Sequence, residues 1–300
     1  MKTSKFFHLF ANGDDARNFL ISEQDFYAAF NRFGLCAAQF DVKVVCFSLE
    51  DSHPHGLLYG AEEECDAFRR YYEQSTLHFV RATRGTSGDL NLVCEILEVS
   101  DQKHLMNVAT YIINQPTKDG KRIMPYDYLW GTGPLYFRSP NTILPWMIRP
   151  DGSLDTPIPI RSLSVHERRK VLSSKREVPG DWLVCNGFLL PTNYVSVNLF
   201  EKIYVTHNCF RAFLSSGGRN DDIIKQSMAE RRGITMDDYE ARSVCGRICA
   251  ELFGRRDVRT LSVSQRLDLG LKMRRDVRLT PRQIATLVRL PEVEIRKYIL

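Results

Sequence analysis

Two histidines flank a single residue in His53-Pro54-His55, and much further along the chain Tyr111 is followed four positions later by Gln115. Imidazoles at i and i+2 point to the same side of a strand, and side chains at i and i+4 share one face of a helix. A metal ion and a phenolic nucleophile could therefore meet between such a strand and such a helix. That pairing suits phosphodiester chemistry, in which a tyrosine attacks a nucleic-acid strand while a divalent ion polarises the phosphate. Histidine and glutamine are neutral donors, which leave an ion its full charge to stabilise the negative oxygen developing in the transition state.

Positioning such groups needs a folded core, and the chain can build one. It has 300 residues, 43% hydrophobic and 26% charged, the make-up of a soluble globular protein with room for more than one domain. Its eight cysteines show no C-x-x-C or zinc-ribbon spacing and several lie in apolar runs, so reduced, buried thiols are expected. The apolar amino terminus meets Asp14 and Asp15 almost at once and reads as a strand, not a signal peptide. No apolar run approaches the ~20 residues needed to cross a bilayer. A cytoplasmic protein with no membrane partner is the expectation.

The first 115 residues alternate strands and helices. Lys5–Ala11 reads as a strand closed by a turn at Asn12-Gly13, and Ser22 is an N-cap for a helix through Phe26, Phe30 and Phe33. Val42–Leu49 has the continuous apolar run of a central strand, Glu50-Asp51-Ser52 makes a turn, and 53–59 returns as its hairpin partner. A helix over 61–81, a strand over 92–99 and a helix over 101–114 follow. The order βαββαβ plus one helix predicts an α+β fold, a ferredoxin-like antiparallel sheet with helices on one face. Pro116 should stop the last helix, with Gln115 in its final turn. Tyr126 and Tyr128 read as residues that close the core.

Charge separates the two ends of the chain. Residues 241–300 hold 14 Lys or Arg against 6 Asp or Glu, a net of +8, within a total of +5. This basic segment carries three short helical patterns, about 262–273, 283–290 and 292–300, with Thr280-Pro281 as a cap and Pro291 as a tight joint. They resemble a helix-turn-helix that could contact duplex DNA through Arg289, Arg296 and Lys297; a three-helix partner-binding bundle has the same periodicity. In the first domain Arg69, Arg70, Arg81 and Arg84 could line a strand-binding groove with Tyr71 and Tyr72 as stacking platforms, or form a solvated helix face. A Pro- and Gly-rich stretch from Pro116 to Pro159 reads as loops and a linker, and three domains are expected: 1–138, catalytic; 139–240, a linker and helical middle region of unassigned role, with helical runs at 163–172 and 223–232; and 241–300, basic and helical.

The stretch VCFSLEDSHPHGLLYG at 45–60 resembles the metal-binding segment of single-tyrosine HUH transposases. NVATYIINQPTKDGKRIMPYDYLW at 107–130 resembles the nucleophile helix of their REP-associated branch. The resemblance covers about residues 3–137 and extends to the tails that some bacterial members carry. It implies that His53 and His55 bind the metal, that Tyr111 is the nucleophile and that Gln115 is a third ligand. It also implies a bacterial, nucleoid-associated enzyme acting on single-stranded or hairpin DNA through a 5′-phosphotyrosine. Imidazole donors favour Mn2+, with Mg2+ as the alternative. Pro54 departs from the usual aliphatic residue and Ser52 from the frequent asparagine. Proline cannot donate to a sheet ladder and is tolerable here if that strand position faces an edge. The same residues are compatible with a replication-initiator or relaxase-like nickase, or with a non-catalytic DNA-binding regulator, and with a monomer or a homodimer.

Overall fold

Strand β1 (Lys5–Ala11) is buried over its last five residues and sits inside a four-stranded sheet of order β2-β3-β1-β4. Its partners are β2 (Val42–Leu49), β3 (Pro54–Gly60) and β4 (Cys94–Val99), every pairing antiparallel. The computed structural model describes residues 3–11, 19–50, 53–85, 90–118, 123–139, 142–215, 238–277, 279 and 281–299. The turns expected at Asn12-Gly13 and Asp51-Ser52 and the helical run expected at 223–232 lie outside them. The chain divides into two compact units, residues 1–221 and 222–300.

Helix α1 (Glu23–Ala37) starts where Ser22 and Asp25 form a capping box, each side chain accepting from the other residue's backbone N–H. Helix α2 (Glu62–Arg84) buries Cys65, Phe68, Tyr72, Thr76 and Val80, a stripe at i+3 and i+4 spacing. Both pack on one face of the sheet. The Phe33 ring of α1 stacks on Phe47 of β2 at 4.2 Å, and Gly56 lies beneath Phe33, where an added Cβ would approach the ring to 3.0 Å.

Residues next to Gly56 point the other way, and that opposite face is covered by α3 (Gln102–Ile113), which contacts β2 and β3. Helices therefore cover both faces, not one as expected. The reason lies in the sheet itself: β2 and β3 are buried on both sides and need an apolar layer on each. Asp101 caps α3, accepting from the backbone N–H of His104 at 2.8 Å. The helix stops at Asn114, and a separate turn, α4 (Gln115–Lys118), follows with Pro116 at its start, where the missing N–H costs nothing.

Strand β3 is internal to the sheet, so Pro54 does not lie on an edge strand. Its place as the first residue of the strand accommodates the proline, and His53 precedes the strand. The outer edge of β2 is covered by two later segments. Ser48 bridges Gly131, and Val44 bridges Val195; Leu49 N–H donates to Trp130 O at 2.9 Å. Tyr128, buried as expected, donates its hydroxyl to Leu49 O.

Much of the middle region is folded into the first unit. Strands β5 (Ile158–Pro159), β6 (Leu183–Cys185) and β7 (Phe188–Leu189) form a small antiparallel sheet, and α5 (Val165–Leu172) lies beside α1. The β6–β7 turn, Asn186-Gly187, has φ of 48° and 83°, the left-handed pair that a two-residue hairpin demands. Helices α6 (Val197–Tyr204) and α7 (His207–Ser215) pack on α3. All eight cysteines are free and seven are buried, Cys209 being half-buried.

The second unit contains α8 (Asp238–Phe253), α9 (Val263–Val277), α10 (Pro281–Val288) and α11 (Glu292–Ile299). Its core gathers Cys245, Cys249, Leu269, Met273, Ile284, Val288 and Ile295. The Cys245 and Cys249 spacing serves this core. The α10–α11 joint is made by Arg289 in the left-handed region at φ 56°. No helix among the described residues is long and apolar enough to cross a membrane.

Candidate metal centre

The antiparallel register decides which side chains meet. Ser48 of β2 and Phe10 of β1 lie opposite His55, so all three point to the α3 side of the sheet. By period-two alternation His8, two residues before Phe10, and Glu50, two beyond Ser48, join that side. A register shift between Val44 and Cys46 in β2 fixes this outcome, since a slip of one residue exchanges the two faces of a strand.

Glu50, His53 and His55 converge there. One ligand atom from each lies within 4.8 Å of the others. His55 Nε2 is 3.5 Å from Glu50 Oε1, and His53 Nε2 is 3.8 Å from Glu50 Oε2. The hairpin is closed by Glu50 N–H donating to His53 O at 2.9 Å, which holds carboxylate and imidazole at the same turn. His55 is fully buried and Glu50 is 8% exposed. Two nitrogens and a carboxylate make a donor set for a transition-metal dication. A buried cluster of this kind could hold a metal ion.

Tyr111 is brought to the same place. Its ring meets that of His55 edge-on with centroids 5.3 Å apart, and that of His8 at 6.1 Å. The neighbouring Thr110 hydroxyl lies 2.7 Å from the Tyr204 hydroxyl of α6, which also donates to Met106 O. These contacts fix the rotation of α3 about its axis. Gln115 is buried one turn further on, and among the described residues its Nε2 has no hydrogen-bond partner.

Sequence spacing missed two residues. Glu50 reads as part of a turn because it ends an apolar strand; its signal is a carboxylate three positions before His53. His8 shows no partner at ligand spacing, but across the sheet its Nε2 lies 3.2 Å from His55 Nδ1. The available clue is a histidine in an otherwise apolar strand. Burial, with smaller contributions from the charges of His104 and His53, pushes its pKa down to about 3. His8 is thus a neutral imidazole at pH 7. His104 is half-buried on α3, its Nε2 without a hydrogen-bond partner.

The arginines of α2, read from sequence as a strand-binding groove or a solvated helix face, make contacts within the protein. Arg69 donates to Asp66, Glu73 and Cys94 O. Arg70 pairs with Asp66, Arg81 donates to Leu90 O, and Arg84 donates to Phe19 O and Asp25. Tyr72 is 1% exposed and offers no face for a base, while Tyr71 carries Arg176 over its ring. In the second unit Lys297 is paired with Glu294 at 2.8 Å, Arg289 is exposed, and the Arg296 side chain lies outside the described residues. A cleft of about 940 Å3 between α1 and the β5–β7 sheet is lined by none of the donor residues.

Comparison with family models, curated proteins and solved structures finds no match to this chain.

Proposed function

We propose that the first unit is a metal-dependent DNA strand transferase of the HUH type. The observation that carries this reading is the convergence of Glu50, His53 and His55 within 4.8 Å of one another, with the Tyr111 ring edge-on to His55. The sheet order β2-β3-β1-β4 in an element sequence βαββαβ is that of the split βαβ, so we read the frame as ferredoxin-like.

In this reading Glu50, His53 and His55 hold a divalent cation, and the buried Gln115 amide is a further donor. The two ends of a side-chain amide are nearly the same shape and exchange by a half-turn, so the position without a hydrogen-bond partner is one that its oxygen can occupy. The ion supplies charge to offset the negative oxygens of the phosphoryl group in the transition state. Two imidazoles favour Mn2+ over Mg2+, which prefers oxygen donors. The resident carboxylate lowers the net charge of the centre below that of an all-neutral donor set and strengthens its grip on the ion.

Tyr111 Oη attacks the phosphorus of a single-stranded or hairpin DNA. The Oη–P bond forms and the P–O3′ bond breaks. The phenolic proton leaves, and the departing 3′-oxygen takes up a proton to become a hydroxyl. Attack by a 3′-hydroxyl on the phosphotyrosine reverses the same bonds and joins a new strand. Incubating the protein and its Tyr111→Phe variant with hairpin oligonucleotides and Mn2+ tests this. A denaturation-resistant adduct is expected with tyrosine and none with phenylalanine; an adduct of equal yield with phenylalanine would refute the role of Tyr111.

A further inference from the structure

The second unit carries a feature that neither the donor cluster nor the helix-turn-helix pattern accounts for. Arg242 on α8, Arg256 and Arg259 in the segment before α9, and Arg289 at the α10–α11 joint line one cleft of about 500 Å3. Four arginine residues from three separate stretches of chain thus line one space. All four residues are exposed, and among the described residues none of their side chains has a hydrogen bond or ion pair. Among the described residues the only carboxylate lining the cleft is that of Asp257, which already accepts from the backbone N–H of Arg259 at 2.9 Å.

Other cations of this unit are differently placed. Lys272 and Arg275 pair with Asp276, Lys297 pairs with Glu294, and Arg266 and Arg274 donate to backbone carbonyls. Among the described side chains of this unit Arg247 is the other exposed arginine without a hydrogen bond or ion pair, so four of the five such arginines line the cleft. Gathering like charges costs energy unless a polyanion relieves it, and guanidinium forks match phosphate oxygens in pairs. Arg289 adds a backbone sign. A non-glycine residue at φ 56° is held in a disfavoured conformation, and this one lines the cleft.

We propose that this cleft binds the phosphate backbone of duplex or hairpin-stem DNA, and that Arg242, Arg256, Arg259 and Arg289 make the contacts. The proposal rests on the reading of the chain as a DNA enzyme for the choice of polyanion, but not on the chemistry of Tyr111. Backbone contacts of this kind bind without reading sequence and release counterions, so affinity must fall steeply with salt.

Two variants of the full chain separate the proposal from a folding defect. The first combines Arg242→Ala, Arg256→Ala and Arg289→Asn, asparagine being tolerant of the left-handed conformation. The second is Gly246→Glu. Gly246 lines the cleft on α8, and a Cβ there meets nothing within 4 Å. Glutamate has a higher helix propensity than glycine and introduces an opposing charge. The readout is fluorescence anisotropy of a labelled DNA hairpin, titrated at several salt concentrations from about 50 to 200 mM, a range in which backbone contacts weaken strongly.

The triple variant should lower the magnitude of the slope of log affinity against log salt by about 2 to 3, since each neutralised phosphate contributes roughly 0.9 to that slope. Gly246→Glu should weaken binding at least tenfold at the lowest salt without lowering the melting temperature. Unchanged affinity and slope in both variants would overturn the proposal, as would absence of DNA binding by the unmodified chain. Equal competition by polyglutamate at matched charge would overturn the assignment to nucleic acid. Tyr111 capture is scored separately: an intact salt slope without adduct sinks the catalytic reading and leaves the cleft standing.

Discussion

His8 Nε2 lies 3.2 Å from His55 Nδ1, a bond between two buried imidazoles on adjacent strands. For His55 Nε2 to offer a lone pair toward Glu50 and a cation, the ring proton must reside on Nδ1 and be donated to His8. His8 must then accept, which only its neutral form can do, and burial keeps it neutral by lowering its pKa to about 3. His8 is thus a positioning residue for the proposed centre. His8→Phe should weaken Mn2+ binding by about 10- to 100-fold, the usual effect of losing such a partner. His8→Gln, which restores an acceptor, should recover most of it. Metal titration by calorimetry measures both, and equal affinity for all three proteins would show that the bond does not orient His55.

Glu50 is the donor whose loss should matter most. Glu50→Gln keeps the shape of the side chain and removes the charge that opposes the ion. Mn2+ affinity is expected to fall by more than the roughly 10- to 100-fold of an outer partner. Gln115→Met, which removes a neutral donor, should have a smaller effect. Metal-linked stabilisation gives an independent check, since an ion that binds only the folded chain raises the melting temperature with its concentration. A Glu50→Gln protein stabilised by Mn2+ as strongly as the parent would exclude the carboxylate from the centre.

The strand and helix order was legible in the sequence because the apolar patterns are strong and the caps are chemically explicit, as at Ser22 and Asp101. His53, His55 and Tyr111 could be picked out because local periodicity fixes which residues share a face. Glu50 and His8 could not, since their approach depends on the cross-strand register and on the irregularity at Val44–Cys46. The partners of the α2 arginines were legible only in part. Asp66 and Glu73 sit three and four residues from Arg69 on the same helix, a spacing that sequence shows, whereas Asp25 and the carbonyls of Phe19 and Leu90, which engage Arg84 and Arg81, lie outside the helix. Residues 142–204 hid their packing behind proline-rich composition; their order comes from long-range bonds to α1 and β2, not from local pattern.

Arg84 and Asp25 supply a stability test with a defined pH dependence. Burial raises the Asp25 carboxyl, but hydrogen bonds from Ser22, Arg84 and Ile21 outweigh it and leave the pKa below the ordinary value of 3.8. A carboxylate with a folded pKa below its unfolded one stabilises fully above the unfolded value, and that contribution is lost as pH falls through the folded one. Asp25→Asn should therefore lower stability at pH 7 and flatten its decline below about pH 4. Arg84→Ala should cost about 2 to 3 kcal/mol, because a nearly buried carboxylate loses its charged partner. Urea denaturation across pH measures both. A stable Arg84→Ala protein with weakened DNA binding would instead return Arg84 to the strand-binding role suggested by sequence.

Asn31 tests whether the middle of the chain belongs to the same cooperative unit as the sheet. Its side chain is fully buried on α1 and makes three bonds at 2.8 Å: Nδ2 donates to Val171 O and to Gly187 O, and Oδ1 accepts from Leu189 N–H. Close packing accompanies these bonds, since a Cβ on the neighbouring Gly34 would come within 2.6 Å of Leu189 and 2.7 Å of Tyr194. Asn31→Leu preserves approximate volume but strands one donor and two acceptors, at about 1 to 3 kcal/mol for each buried group left unpaired. Gly34→Ala should also destabilise by about 1 to 3 kcal/mol through overpacking. Because α1 also packs on β2 beneath the donor cluster, either change should raise amide exchange together in α1, β6–β7 and β2. Faster exchange confined to 142–204, with β2 unaffected, would show that the middle segment opens on its own and does not brace the strand that ends at Glu50.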